Sequence, residues 1–266
     1  MAAVAHAELD AALLEAAAAG DAVSLATLLD AGAHIAVTTK TGTTALHIVC
    51  ERGDDACVRV LVAAGAPVDA KDNMRATPLL LASEKGHVAC VCTLLDAGAD
   101  IEASNVHRFT PLYIACRNGR EACVRLLLTA RACVDSAPDD GWGPLHVACW
   151  NGHLPCVRAL LEAGANVDTT EPDDRTALHI VCEMGHHECL RYMLAVGANT
   201  AAADDTGATP LHTACAHAHI ACIQALLDAD VDMEATDFEG ATPLHTTCDY
   251  GQRKCAELLL GEGANA

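Results

Sequence analysis

One leucine recurs every 33 residues along this chain, at Leu46, Leu79, Leu112, Leu145, Leu178, Leu211 and Leu244, with no insertion or deletion between them. A period of this length identifies a stack of supersecondary units, none of which can bury its apolar face alone, so neighbours must complete one another's core. Two glycine combs share the register. One runs through Gly53, Gly86, Gly119, Gly152, Gly185 and Gly251 and lapses at Ala218; the other runs through Gly65, Gly98, Gly164, Gly197 and Gly263, with Arg131 and Asp230 in the vacant places. Leu13, Gly20 and Gly32 extend the grid to an N-terminal unit. The predicted boundaries are a capping unit over 8–39 and seven repeats over 40–72, 73–105, 106–138, 139–171, 172–204, 205–237 and 238–266, together one domain over 1–266.

Each unit reads as two short helices and a loop. Thr77-Pro78, Thr110-Pro111, Thr209-Pro210 and Thr242-Pro243 place a capping hydroxyl before a proline at the first helical position, where the missing N–H costs nothing. The first glycine comb ends that helix, an apolar-periodic stretch such as Cys123 to Leu128 follows, and the second comb supplies a left-handed C-cap. Segments such as 70–77 and 105–110 are polar and turn-like, and predict hairpins projecting from the helices.

These motifs resemble the ankyrin-repeat family: TPLHTACAHAHIACIQALLDADVDMEATD, Thr209 to Asp237, and its sister segments match that family's consensus over essentially the whole chain. The resemblance implies an all-α solenoid of helix-turn-helix units with projecting β-hairpin loops, a concave groove lined by loop tips and first helices, and a non-catalytic role in binding proteins. It also implies that the histidines of the T-P-L-H motif, His47, His146, His179, His212 and His245, bond between neighbouring loops. The cysteine-rich form of the repeat is similar to ubiquitin-ligase adaptors that join ankyrin repeats to a SOCS box. No such box is legible up to Ala266, so the adaptor reading requires further chain beyond it.

Charge and thiol content set the environment. Sixteen basic against 36 acidic side chains give a net charge of −20, which repels phosphate backbones and anionic lipid, so neither nucleic acid nor a membrane is an expected partner. No apolar run is long enough for a membrane-spanning helix, and the first twenty residues lack the basic start of a secretory signal. Thirteen of the fifteen cysteines occupy two places in the period: Cys50, Cys116, Cys149, Cys182, Cys215 and Cys248, then Cys57, Cys90, Cys123, Cys156, Cys189, Cys222 and Cys255. A catalytic or metal centre is built once, whereas a residue that recurs in every unit serves what every unit does, close packing of two helices. With histidines three residues before many of the first-place sulfurs, zinc or redox chemistry is the rival reading, but no CxxC or HExxH motif supports it. No cofactor is expected. So many free thiols suit a reducing compartment, cytoplasmic or nuclear. Cys92 and Cys133 lie off the comb and are the expected accessible thiols.

Function is sought where one unit departs from its sisters. Six of the seven aromatics, Phe109, Tyr113, Trp142, Trp150, Phe238 and Tyr250, lie within six residues of a motif leucine, the segment expected to face the groove; Tyr192 does not. Phe109 and Trp142 hold the same place in successive repeats. Between Val106 and Pro138, Arg108, Arg117, Arg120, Arg125 and Arg131 face only Glu121 and Asp135, a net +3 that leaves −23 for the remainder. Trp, Tyr and Arg dominate binding hot spots. The candidate protein-binding residues are therefore Arg108, Phe109, Tyr113, Arg117, Trp142, Trp150, Arg75, Arg175, Phe238 and Tyr250, with Thr43, Glu84 and Lys85 completing a polar rim. The expected partner is a protein offering an acidic or mixed-charge segment to a monomer. Arg131 and Asp230, in left-handed caps, are expected to soften the third and sixth repeats. Gln252, Arg253, Lys254, Glu257 and Glu262 suit the last repeat to serve as a cap.

Overall fold

The computed structural model describes residues 2–139 and 141–265. Two compact units divide at the boundary between the third and fourth repeats, Met1–Pro138 and Asp139–Ala266. The first holds α1 (Ala2–Ala19), α2 (Ala22–Asp30), α3 (Ala45–Arg52), α4 (Asp55–Ala63), α5 (Pro78–Lys85), α6 (Val88–Asp96), α7 (Pro111–Arg117) and α8 (Glu121–Thr129). Its odd-numbered helices pack in sequence as one layer and its even-numbered helices as the other. The second unit repeats this arrangement with α9 (Pro144–Trp150), α10 (Leu154–Glu162), α11 (Ala177–Met184), α12 (His187–Ala195), α13 (Pro210–Ala216), α14 (Ile220–Leu227), α15 (Pro243–Asp249) and α16 (Arg253–Gly261). The first helix, α1, begins at Ala2, ahead of the capping unit proposed for 8–39.

The motif threonines start the first helices. The hydroxyls of Thr77 and Thr110 accept the N–H of Leu80 and Tyr113, and proline occupies the first turn in both cases. The motif leucines from Leu46 to Leu211 are at most 2% exposed. Burying each one contributes about 1.5–3 kcal/mol. Second helices have no such side-chain cap at residues 54, 87, 120, 153, 186, 219 and 252. Several of those side chains reach back to the preceding repeat instead. His87, Arg120, His186 and His219 donate to the carbonyls of Glu51, Glu84, Trp150 and Glu183, at 3.1, 3.0, 3.0 and 2.9 Å. Those acceptors lie at the last turn of a first helix, where carbonyls lack an intrahelical partner.

The same contact explains three members of the first glycine comb. A Cβ on Gly53, Gly152 or Gly185 would come within 2.4, 2.6 or 2.6 Å of the imidazole of His87, His186 or His219. Where the comb lapses, Ala218 is held at φ 58°, and the reaching residue is the unbranched Gln252, whose amide meets the Ala216 carbonyl at 3.5 Å. Arg131 and Asp230 adopt the left-handed backbone foreseen for them, φ 70° and 57°.

The hairpins are turns rather than strands. Each of those at 39–43, 72–76, 105–109, 171–175, 204–208 and 237–241 is closed by one backbone bond between residues four apart. Among the described residues a β-bridge forms only at Thr38–Thr44 and Thr170–Thr176. Those repeats carry Ala45 and Ala177 where five others have proline, whose ring removes the N–H that a second ladder bond needs. Carboxylates assist the closure: Asp72, Asp204 and Asp237 each accept two N–H groups of their own turn through Oδ1. A second set joins repeats, with Asp69, Glu102, Asp168 and Glu234 accepting the N–H of Asp100, Cys133, Asn199 and Asn265 at 2.7–2.9 Å. Part of the acidic excess is thus architecture.

Candidate partner-binding surfaces

The recurring histidines are committed to the frame. In His47 the Nδ1 atom accepts the N–H of Thr44 at 3.1 Å, which leaves the proton on Nε2, and Nε2 donates to the Ala76 carbonyl of the next repeat at 3.0 Å. His179 and His212 repeat the pattern with Ala208 and Ala241, and His146 donates to Thr169. Burial holds the pKa of His47, His179 and His212 below the ordinary imidazole value despite these bonds, which keeps the rings neutral. With both nitrogens in use, none of the four can act as ligand or base without breaking a repeat junction.

The thiols are equally committed. All fifteen cysteines are free, and twelve are buried. Burial pushes Cys90, Cys123, Cys189 and Cys222 up to about 11 and Cys215 to about 12, so none is a ready thiolate. Cys92 and Cys133 are exposed as the comb implied. Cys248 is exposed too, against its place in the comb, because the helix face that it shares with Cys215 is covered in earlier repeats by the following first helix. Among the described residues no three His, Cys, Asp or Glu side chains are grouped to hold a metal ion, and no helix is long and apolar enough to cross a membrane.

In the first unit the departures from the repeat converge on two neighbouring hairpin tips. The tip position is glycine at Gly42, Gly141, Gly207 and Gly240, all at positive φ. Arg75 and Arg108 occupy it with φ 58° and 61°, a conformation that costs a side-chain-bearing residue on the order of 1 kcal/mol. The Val106 N–H donates to the Met74 carbonyl at 3.0 Å and so ties the two tips together, with both apolar side chains about half exposed. Behind Arg108, the half-buried Phe109 stacks on Tyr113 with centroids 4.4 Å apart, and the Arg117 guanidinium lies 5.6 Å from the Phe109 centroid. Phe109 also packs on the cluster of Ala76, Leu80 and Ile114.

Two sequence expectations change here. Tyr113 is only 5% exposed, so it backs Phe109 rather than meeting a partner itself. The five arginines of the third repeat do not form one patch. Arg120 spans back to the Glu84 carbonyl, Arg125 pairs with Glu121 on α8 at 2.9 Å, and Arg131 ends that second helix, leaving Arg108 and Arg117 beside Phe109.

In the second unit Trp142 and Trp150 meet edge to face, centroids 5.4 Å apart, with Trp142 half-buried and Trp150 37% exposed. The Arg175 guanidinium lies 5.8 Å from the Trp142 centroid. It bonds Glu171 at 2.9 Å and Glu183 at 3.0 Å, so the charge expected at the rim is already met within the unit. Burial works to raise the Glu171 pKa, but Arg175 and the backbone N–H bonds outweigh it and hold the carboxyl low. Phe238 and Tyr250 are 77% and 66% exposed; the Phe238 N–H joins its tip to Thr206. Tyr192 lies apart on second helix α12, under the Arg158 guanidinium at 4.8 Å.

Paired helical layers, joined from repeat to repeat by side chains that reach the preceding first helix, define an α-solenoid repeat protein. The family model for ankyrin repeats matches residues 13–105, 103–171, 164–237 and 204–266, and the chain belongs to that family. The crystal structure of the human ASB11 ankyrin repeat domain is similar, with a TM-score of 0.73 and 30% sequence identity over 84% of this chain and 100% of that one. No curated protein sequence matches.

Proposed function

We propose that this protein is a non-catalytic interaction scaffold whose first unit presents Arg75, Arg108, Phe109 and Arg117 to an acidic or mixed-charge segment of a partner protein. One observation carries the reading. Two adjacent tips retain arginine in a backbone conformation that glycine fills at no steric cost, and strain kept against a simple remedy points to use. Exposed Met74 and Val106 supply apolar contact beside the two charges. Trp142, Trp150, Phe238 and Tyr250 offer further contact area in the second unit. A preformed frame binds without ordering itself first, so the chain acts as a monomeric display surface with no cofactor.

The Arg75→Gly/Arg108→Gly double variant tests this, since glycine keeps the turn and deletes the side chain. Stability is expected to stay within about 1 kcal/mol of the native chain, while affinity for a captured partner falls roughly tenfold or more. Unchanged affinity removes these tips from the site. Trp142→Ala and Trp150→Ala, at about 2 kcal/mol of binding each, test the second unit in the same assay.

The likeness to the human ASB11 ankyrin repeat domain favours a second reading, the substrate-recognition part of a ubiquitin-ligase adaptor. Sequencing the gene downstream of Ala266 for a SOCS box decides it.

A further inference from the structure

The hairpin tips change sign along the chain. Residues 40–42, 73–75 and 106–108 contain Lys40, Arg75 and Arg108 and no acid, whereas 172–174, 205–207 and 238–240 contain Asp173, Asp174, Asp205 and Glu239 and no base. In the second unit a groove of about 580 Å³ runs between the later tips and the first helices α13 and α15. Asp204, Asp237, Glu239 and Asp249 line it, and Tyr250 and the Thr213 hydroxyl add an aromatic face and a polar floor. Asp204 and Asp237 each hold their own turn with Oδ1. Their second oxygens, like the Glu239 and Asp249 carboxylates, have no ion-pair or hydrogen-bond partner among the described residues. Among the described residues Arg175 is the one arginine or lysine on the wall, beside His212 and His217, and it is already bonded to Glu171 and Glu183.

We propose that this groove is a docking site for an extended, arginine- or lysine-bearing segment of a partner protein. The inference rests on the reading of the chain as an interaction scaffold and names a second surface of opposite charge. Four carboxylates without cations along one channel repel one another, and a ligand that brings positive charge relieves that repulsion. Their spacing selects the kind of cation. No three carboxylates or imidazoles among the described residues are close enough to share a metal ion, so the field suits charges spaced along a chain rather than a point charge. Tyr250, exposed at the α15 wall, can stack under a guanidinium.

Fluorescence anisotropy with the full chain tests this, using a labelled short peptide that alternates arginine with serine and its glutamate counterpart. Binding of the arginine peptide alone is expected, weakening as salt rises. Glu239→Lys/Asp249→Lys should weaken it about tenfold or more, and Glu239→Gln/Asp249→Asn by less in the same direction. The control Asp30→Lys/Asp135→Lys makes the same change in net charge on exposed residues of the first unit and should cost less than about twofold. Circular dichroism checks that the variants fold; if the lysine pair does not, the glutamine–asparagine pair carries the test. Equal losses for the groove and control pairs overturn the proposal, since the field of the whole chain then explains binding. So does self-association of the native chain that vanishes in Glu239→Lys/Asp249→Lys, which makes a second copy the occupant. No binding of the arginine peptide removes the groove and leaves the first-unit tips standing on their own glycine test.

Discussion

The early repeats and the late ones share a helical frame and differ at the tips, although Leu80 and Tyr113 take the motif histidine's place in the second and third repeats. His47 and His179 make the same three-point junction, down to Nε2 bonds of 3.0 Å to Ala76 and Ala208. Yet the left-handed tip position holds Arg75 and Arg108 in the first unit, whereas in the second it holds Asp174, left-handed too at φ 57°, and glycines. Residues that join repeats have little freedom, because a change breaks contacts on both sides of a junction. The charged tip residues take no part in that histidine junction, so charge can be reversed there without breaking it.

The largest effect should come from breaking the shared part. His47→Ala and His179→Ala are each expected to destabilise by about 2–4 kcal/mol, since a buried N–H loses its acceptor and a carbonyl its donor. Exposed His245, whose ring bonds only Thr242 among the described residues, should cost under about 1 kcal/mol when changed to Ala. Urea melts that show equal losses at all three positions would break the assignment of the histidines to repeat junctions.

Stability against pH sharpens the same comparison. The folded-state pKa values of His47, His179 and His212 lie below the ordinary 6.5, so the unfolded chain takes up protons first. Their contribution is present above pH 6.5 and is lost as the pH falls from there through the lower folded values. The buried thiols act in the opposite sense. Theirs is present below 9.0 and is lost as the pH rises from 9.0 through about 11 for Cys90, Cys123, Cys189 and Cys222, and about 12 for Cys215. Denaturation midpoints across pH should therefore show a plateau falling at both ends, and His212→Phe should flatten only the acid side.

The smallest effects test single lapses of the pattern. Ser83 takes the place that cysteine holds in the other six repeats, and its fully buried hydroxyl has no hydrogen-bond partner among the described residues. Ser83→Cys is expected to stabilise by about 1–2 kcal/mol. Ala218→Gly, which relieves a left-handed alanine, should gain about 1 kcal/mol or less, as glycine gives back some of it in chain entropy. Thermal melts of the two variants check both.

Periodicity made the frame legible. The leucine comb placed the first helices, and the threonine–proline pairs marked their starts, because these features answer to local geometry. The strand character of the hairpins was over-read, because a proline at the first helical turn withholds a ladder donor, and only Ala45 and Ala177 restore it. The five arginines of the third repeat were counted along the chain, yet sequence adjacency does not fix the face: Arg125 sits on a second helix, paired to Glu121. Tyr113 and Phe109 look alike in sequence, and only packing separates the buried ring from the half-buried one. The second histidine comb, His87, His153, His186 and His219, was available to inspection but lacked a motif around it. So was the sign change at the tips, visible once residues 40–42 are set against their equivalents rather than pooled into a net charge.

The close approach of His87 to Gly53 and of His219 to Gly185 makes one unit a lock for the key carried by the next at those junctions. Duplication or loss of a whole 33-residue period leaves such pairs intact wherever the new neighbours are of this type, so array length can drift freely there. A breakpoint that set Ala218 before an imidazole would press a methyl group into the ring. The Ala218–Gln252 junction is thus a seam at which shuffling is penalised, and an engineer extending the array should copy units from the glycine-bearing stretches instead.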